Sequence, residues 1–355
     1  MKQILVVDDN LPNLKQINMQ LCDNYRVALA KSGAQALQIC LNERPDLILL
    51  DIQMPEMDGF QTIEKFKENI TMRNIPIIFL TANHDAATEV KALESGAVDF
   101  VTKPIEKSIL LHRIELHLQV AEYHRSLENT VKNLEDGLIT SFSDLIECRD
   151  GNTGGHVVRT SRYVELLGRE LRNRGMFADE LTEKALEMIV RATPLHDVGK
   201  IGVSDVILLK PALLNDEEFA LMKQHTKIGA DILRSMYQRT PTQHYLQYAI
   251  MIAESHHERY EGKGYLRGLK GEEIPLCARI MSVADVYDAL VDTRVYKRAM
   301  THEDACRIIY AGKGSQFDPQ IVDAFQAVHA QFNEAARASL NLERKEDLSE
   351  LARVG

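Results

Sequence analysis

The sequence predicts a doubly wound, five-stranded parallel α/β sheet, followed by a helical linker and an all-α domain. Three observations predict this architecture. Apolar runs of strand length alternate with helix-period segments five times over residues 1–120. Strand signals then stop, and helical periodicity dominates from Asp144 to about Arg337. The chain has 355 residues, too many for one ordinary core and suited to two domains with a connector.

Gln3 to Val7 is almost wholly apolar, as expected of a strand buried on both faces. The alternation continues with a helix at Pro12–Cys22, a strand at Tyr25–Leu29 and a helix at Ala34–Leu41. A strand at Leu47–Leu50, a helix near Phe60–Phe66 and a strand at Ile75–Leu80 follow. A helix near Ala86–Leu93 and a strand at Ala97–Val101 complete the set. In such folds the ligand sits beyond the carboxyl ends of the strands. Asp8 and Asp9 are expected to end the first strand, Asp51 the third and Thr81 the fourth, with Lys103 after the fifth. One aspartate there would usually cap a turn. Three converging carboxylates need a cation, and hard oxygen donors suit Mg²⁺. With a hydroxyl and an ammonium beside them, Asp51 reads as a nucleophile that receives a phosphoryl group. His84 and Asp85 read as a solvated loop pair.

Between Pro104 and about Cys148, Leu127, Val131, Leu134, Leu138 and Leu145 form a short heptad seam. The seam fits a homodimer through a two-stranded coil, or a helix packed on its own domain. His112, His117 and His124 are spaced unlike a ligand pair and are assigned to the helix surface.

Histidine and aspartate concentrate in the helical half: His156, the pair His196-Asp197, His225, the pair His256-His257, and Asp285. Imidazole with carboxylate suits a transition ion, Fe, Mn or Ni ahead of Zn. Seven side chains exceed the complement of one catalytic ion but suit two ions sharing a carboxylate. Paired ions recur in phosphate-ester hydrolysis. His225 or Asp285 alone would more often be structural; the adjacent pairs are harder to bury cheaply on one helix face. His244, His302 and His329 lack partners in sequence and are assigned no chemistry.

A net charge of -10 argues against a nucleic-acid duplex or an anionic membrane as the main partner. The longest apolar runs have strand length, so no membrane span is expected. Met1-Lys2 leads straight into a strand, without a signal-peptide pattern, and five scattered cysteines read as reduced thiols. These features imply a cytoplasmic protein.

Residues 1–120 resemble the receiver domain of response regulators, a flavodoxin-like fold. The matching residues are Asp8-Asp9, Asp51 with Met54-Pro55 and Asp58-Gly59, Thr81-Ala82 and Lys103-Pro104. The resemblance implies that Asp51 is the phosphoacceptor of a cognate histidine kinase. It implies Mg²⁺ on Asp9, Asp51 and the Gln53 carbonyl, with Asp8 acting through water. Thr81 and Lys103 would contact the phosphoryl group, and Phe100 takes the place of the switch aromatic.

Residues 140–335 resemble the HD-GYP phosphodiesterases, which hydrolyse cyclic di-GMP. The resemblance rests on Leu195 to Ile201, His256 to Tyr265, Arg279 to Asp285, Asp292 to Lys297 and Phe317 to Pro319. It implies an all-α HD-type metal-dependent hydrolase. His156, His196, Asp197 and Asp285 would hold one ion; His225, His256 and His257 would hold the second, with Asp197 bridging. Lys200 would contact the scissile phosphate beside Asp197, Tyr265 would border the substrate, and Arg294 and Lys297 would clamp phosphate oxygens. Leu266 replaces the family's proline, which leaves open a weakly catalytic sensor of cyclic dinucleotides, or another dinucleotide as substrate. Asn152 replaces the glutamate of three-metal members, so two ions and the linear product pGpG are expected, with GMP as the alternative end product. The linker is placed at 105–147, and the tail, 336–355, fits a helix or a frayed end.

Overall fold

The structure, a computed structural model, describes residues 1–69, 71–82, 86–150, 155–292 and 299–354, with backbone alone at 86–88 and 339–354. The chain divides into two compact units, Met1–Lys132 and Asn133–Gly355.

In the first unit, strands β1 (Gln3–Val7), β2 (Arg26–Ala30), β3 (Leu47–Asp51), β4 (Ile77–Thr81) and β5 (Asp99–Thr102) pair in parallel, in the order β2-β1-β3-β4-β5. The helices are α1 (Leu11–Leu21), α2 (Gly33–Asn42), α3 (Gly59–Glu68), α4 (Ala86–Glu94) and the part of α5 (Lys107–Arg149) up to Lys132. Successive strand residues point to opposite faces, so they feed two cores. Leu5, Val7, Ile48, Leu50 and Phe79 pack with Ala36 of α2, Ile63 and Phe66 of α3 and Ala92 of α4. Ile4, Val6, Leu49, Ile78 and Leu80 pack with Leu14 and Ile17 of α1 and Leu110 and Ile114 of α5. With both faces covered, the central strands can be apolar throughout.

The chain leaves β1 in both directions across the sheet, and a crevice opens where the strand order reverses. Element limits differ from the sequence expectation by one or two residues. Asp51 and Thr81 are the last residues of their strands, whereas Asp8 and Asp9 follow β1 rather than close it. His117 is a correction. It is not a free surface residue but contacts Asp99 at 3.0 Å, on the carboxylate that Arg113 also holds. A half-buried carboxylate at a strand start needs such donors.

Helix α5 is continuous over 43 residues. Its first turns bury Leu110, Ile114 and Leu118, while Leu127, Val131, Leu134, Leu138 and Leu145 are exposed.

The described part of the second unit is helical: α6 (His156–Asn173), α7 (Glu183–Ala192), α8 (Asp205–Leu208), α9 (Asp216–Met222), α10 (Gln224–Arg239), α11 (Tyr245–Ser255), α12 (Leu276–Val291), α13 (His302–Ala311) and α14 (Pro319–Val354). Short 3₁₀ turns lie at Thr193–Leu195, Val198–Gly202 and Gly271–Glu273. α10 follows α9 after the single residue Lys223, and His225 is its second residue. The core joins Tyr163 and Leu167 of α6, Ile189 of α7, Ile252 of α11, Tyr287 of α12 and Phe325 and Phe332 of α14. Tyr163 stacks on Phe332 at 4.3 Å, and Tyr287 meets both edge-on. A buried Arg279–Asp318 pair, 2.6 Å apart, ties α12 to the start of α14. This accounts structurally for two of the motifs noted in the sequence, because each supplies one partner.

Candidate metal centre and phosphoacceptor site

Seven side chains far apart in sequence converge in the second unit. Asp197, His225, His256 and His257 place one ligand atom each within 4.8 Å of one another, and His156, His196 and Asp285 do the same. The two groups meet at Asp197. Its Oδ1 lies 3.3 Å from His225 Nε2 and 3.6 Å from His256 Nε2, while its Oδ2 lies 3.4 Å from His196 Nε2.

The local fold aims each ring. Gly155 caps α6 with φ of 97°, a left-handed conformation suited to glycine, and delivers His156 as the first helical residue. The Nδ1 atoms of His196, His225 and His256 lie 3.0, 2.7 and 2.9 Å from the carbonyls of Thr193, Met222 and Ile252. A carbonyl only accepts, so each Nδ1 carries the proton and each Nε2 turns a lone pair inward. Asp197 Oδ1, His225 Nε2 and His256 Nε2 are buried with no hydrogen-bond partner among the described residues. Lone pairs facing lone pairs in a dry site are unfavourable unless a cation lies among them. The donor set, imidazole and carboxylate with no thiolate, fits two transition ions. Burial pushes His256 and His257 below the ordinary imidazole range, and neighbouring rings add to it, so both favour the neutral, ligating form.

Lys200 stands beside this group, 2.8 Å from Asp197 Oδ2 and 2.5 Å from Asp150. Burial works against its charge, but Asp197, Glu147 and Asp150 together hold it well above the ordinary lysine range. Tyr265 covers the other side. Its ring lies 4.8 Å from that of His257 and 6.0 Å from that of Phe219.

In the first unit, Lys103 Nζ reaches Asp8 and Asp51 at 2.8 and 2.9 Å, and Asp8, Asp9 and Asp51 gather as an acidic group of their own. Thr81 is buried at the end of β4 beside them. Burial pushes the Asp51 carboxyl up, and Lys103 offsets this only in part. Gly59 lets α3 approach, because a side chain there would lie 2.5 Å from the Asp51 carbonyl. Phe100 is half-buried on β5, against the core under α2–α4. Gln53 is exposed just past β3.

Residues 4–115 match the response regulator receiver domain family, and residues 141–321 match the HD domain family. The chain belongs to the response regulators that carry an HD domain. This HD-domain response regulator is 39% identical to a "Probable cyclic di-GMP phosphodiesterase" of Vibrio cholerae, over 94% of this chain and 79% of that one. It is 36% identical to the "Cyclic di-GMP phosphodiesterase response regulator RpfG" of Xanthomonas campestris, over 93% of this chain and 89% of that one. It is also 35% identical to "3'3'-cGAMP-specific phosphodiesterase 2" of Vibrio cholerae, over 65% of this chain and 41% of that one.

The sequence assigns no role to several residues of the HD-domain response regulator's site. Asp288 is fully buried and lies 2.7 Å from His156 Nδ1, and Arg159 grips the same carboxylate through two bonds and reaches Asp292. Glu258 is buried, and its carboxylate accepts from the backbone N–H groups of Arg267, Gly268 and Leu269. It thereby pins the loop that presents Tyr265 and Leu266. Arg149, in the last turn of α5, donates to Asp205 and to the carbonyls of Lys200, Ile201 and Val203, fixing the segment that carries Lys200. The helical periodicity that places such residues does not say which distant group they meet. Asn152, Arg294 and Lys297, and the loop pair His84 and Asp85, lie outside the described residues.

Replacing Asp288 with asparagine should weaken metal binding about 10- to 100-fold, because His156 loses the carboxylate that orients its ring. Competition with a chelator measures it. Unchanged affinity would mean that Arg159 and the helix start suffice to place His156.

Proposed function

We propose that this chain is a metal-dependent phosphodiesterase that opens cyclic di-GMP to linear pGpG, with its output set by phosphorylation of Asp51. The observation that carries the reading is the convergence of seven His and Asp side chains in two groups sharing Asp197. Fe, Mn or Ni are the ions such a donor set favours, with His156, His196, Asp197 and Asp285 holding one and His225, His256 and His257 the other. When bound, they supply Lewis-acid activation of water and of the phosphodiester. Lys200, kept cationic beside Asp197, would meet phosphate charge as it develops. Tyr265 offers an aromatic face against which a guanine can rest. Arg294 and Lys297 clamp phosphate oxygens, a role suited to a fork and a point charge. Asn152 in place of a carboxylate supports two ions and a single cleavage.

In the receiver, Asp51 attacks the phosphoryl group offered by a histidine kinase. Asp9, Asp51 and the Gln53 carbonyl would hold Mg²⁺, with Asp8 acting through water; Lys103 and Thr81 would contact the phosphoryl oxygens, and Phe100 would follow the change. We place the protein in the cytoplasm. No helix among the described residues is long and apolar enough to cross a membrane.

The test is to load the purified chain with Mn, Fe or Ni and to separate the products by chromatography. Cyclic di-GMP should disappear and pGpG accumulate. The likeness to a cGAMP-specific enzyme makes the mixed cyclic dinucleotide the necessary comparison. Turnover of that compound alone would overturn the substrate assignment, and no turnover with any ion would overturn the enzyme. A small phosphodonor should change the rate of the parent and leave Asp51→Asn unaffected; an equal response in the variant would remove Asp51 as the switch.

The exposed stripe of Leu127, Val131, Leu134 and Leu138 on α5 supports a homodimer formed by pairing this helix with its copy. Leu134→Asp combined with Leu138→Asp should halve the mass seen by light scattering. A parent that already runs as a monomer at micromolar concentration would refute the dimer.

A further inference from the structure

A second constellation of metal-ligating groups lies outside the centre described above. Among the described residues, His302, Cys306 and His329 each place a ligand atom within 4.8 Å of the others. Cys306 is buried and both histidines are half-buried. We infer that these three side chains form a separate site for a thiophilic divalent ion of the Zn²⁺ class, which ties α13 to α14. This inference does not depend on the substrate or on the reaction.

The local geometry suits the ion. His302 and Cys306 stand four residues apart on α13, so they share a helix face, and α14 brings His329 to that face. His302 Nε2 lies 3.5 Å from Cys306 Sγ and 2.9 Å from His329 Nδ1. A tetrahedral Zn²⁺ site, with Zn–N of about 2.0–2.1 Å and Zn–S of about 2.3 Å, sets N and S about 3.5 Å apart and two nitrogens about 3.3 Å apart. The sulfur also lies 3.7 Å from His302 Nδ1, beside the ring, so the thiol must turn about its χ1 to meet the Nε2 lone pair, and the two rings need to part by about 0.4 Å. The Tyr287 hydroxyl lies 2.8 Å from His302 Nδ1, so it can accept from that nitrogen and leave Nε2 to face Cys306 and His329. His302 begins α13, where the helix dipole disfavours an imidazolium and so favours the ligating form. Burial, and after it His329 and Arg337, hold His302 below the ordinary imidazole range against the opposing pull of Glu303, which keeps the ring in its neutral, ligating form.

Thiolate with two imidazoles selects Zn²⁺ or Cu⁺ over Mg²⁺ and Ca²⁺. Solvent can fill the fourth position on the half-exposed side of the rings. A hydrogen-bonded pair of imidazoles would need His302 and His329 alone. The Cys306 sulfur, beside the His302 ring and gathered with both histidines within 4.8 Å, is what points to an ion.

Cobalt distinguishes the two. The centre around Asp197 has no thiolate, so a sulfur-to-cobalt charge-transfer band in the near ultraviolet reports Cys306. The full chain titrated with Co²⁺ should develop that band, and Cys306→Ser should lose it together with one equivalent of bound Zn²⁺ per chain. His329→Gln, which keeps the thiol, should weaken the band and the affinity for Zn²⁺ at least tenfold. The absence of a band, or a band and Zn²⁺ stoichiometry unchanged in Cys306→Ser or His329→Gln, would overturn the site and leave a hydrogen-bonded histidine pair.

Discussion

Asp197→Asn should lower the rate of cyclic di-GMP hydrolysis by about 10⁴-fold or more, a loss of the size seen when one member of an interdependent catalytic group is removed. Among the described residues, Asp197 alone turns its two oxygens toward both histidine groups, Oδ1 toward His225 and His256 and Oδ2 toward His196. Asparagine keeps the shape but loses the charge, and it replaces one acceptor with an amide that carries two hydrogens. Whichever way the amide turns, one group of imidazoles faces a donor where it needs a shared anion. The same substitution takes from Lys200 its 2.8 Å partner and leaves it to Glu147 and Asp150, which would draw it away from the reacting phosphate. Both metal content and turnover should therefore fall together. Elemental analysis beside a turnover assay reads the two independently. Two ions per chain with near-parental activity in the variant would refute the bridging role. Two ions with lost activity would move Asp197 from the ligand set to proton handling.

Much of this was legible in the sequence, for a physical reason. A strand buried on both faces must be apolar at every position, so β1, β3 and β4 stand out, and the polar residue that ends each such run belongs to the site. Asp51 and Thr81 stand out in this way. Adjacent His-Asp and His-His pairs are expensive to bury without a ligand, so they mark the metal centre whatever the fold around them. The supporting residues were not legible. Asp288 looks like any polar residue on an amphipathic helix, and its partner His156 is 132 residues away. Glu258 lies inside a motif, but its three backbone donors come from a loop whose path only the tertiary fold sets. The His302–His329 contact spans 27 residues and two helices. The four-residue spacing of His302 and Cys306 was a local signal that could have been read.

Gly199 sets the second large effect, because here the metal ligands depend on a missing side chain. The 3₁₀ turn at Val198–Gly202 carries Lys200 and directly follows Asp197, and it crosses α10 next to His225. A Cβ on Gly199 would sit 1.9 Å from the His225 carbonyl oxygen and 2.4 Å from the Gly229 backbone nitrogen. Both obstacles are backbone, so no side chain can swing aside to make room. Gly199→Ala must push the turn away from α10 and separate Asp197 from His225, the pair that joins the two histidine groups. Overpacking of this kind costs about 1–3 kcal/mol, which should lower the melting temperature of the second unit by about 2–10 °C. A ligand displaced by about an ångström should cost a further 100-fold in turnover. Gly137→Ala is the control. Gly137 is exposed in α5 with nothing within 4 Å of its added Cβ, so alanine there should stabilise by about 0.5–1 kcal/mol through helix propensity. Calorimetry and turnover on the two variants should move in opposite directions for stability, and only Gly199→Ala should lose activity. If Gly199→Ala melts with the parent and turns over at its rate, the crossing has slack, and the position of Asp197 is set elsewhere, by the Thr193–Leu195 turn before it.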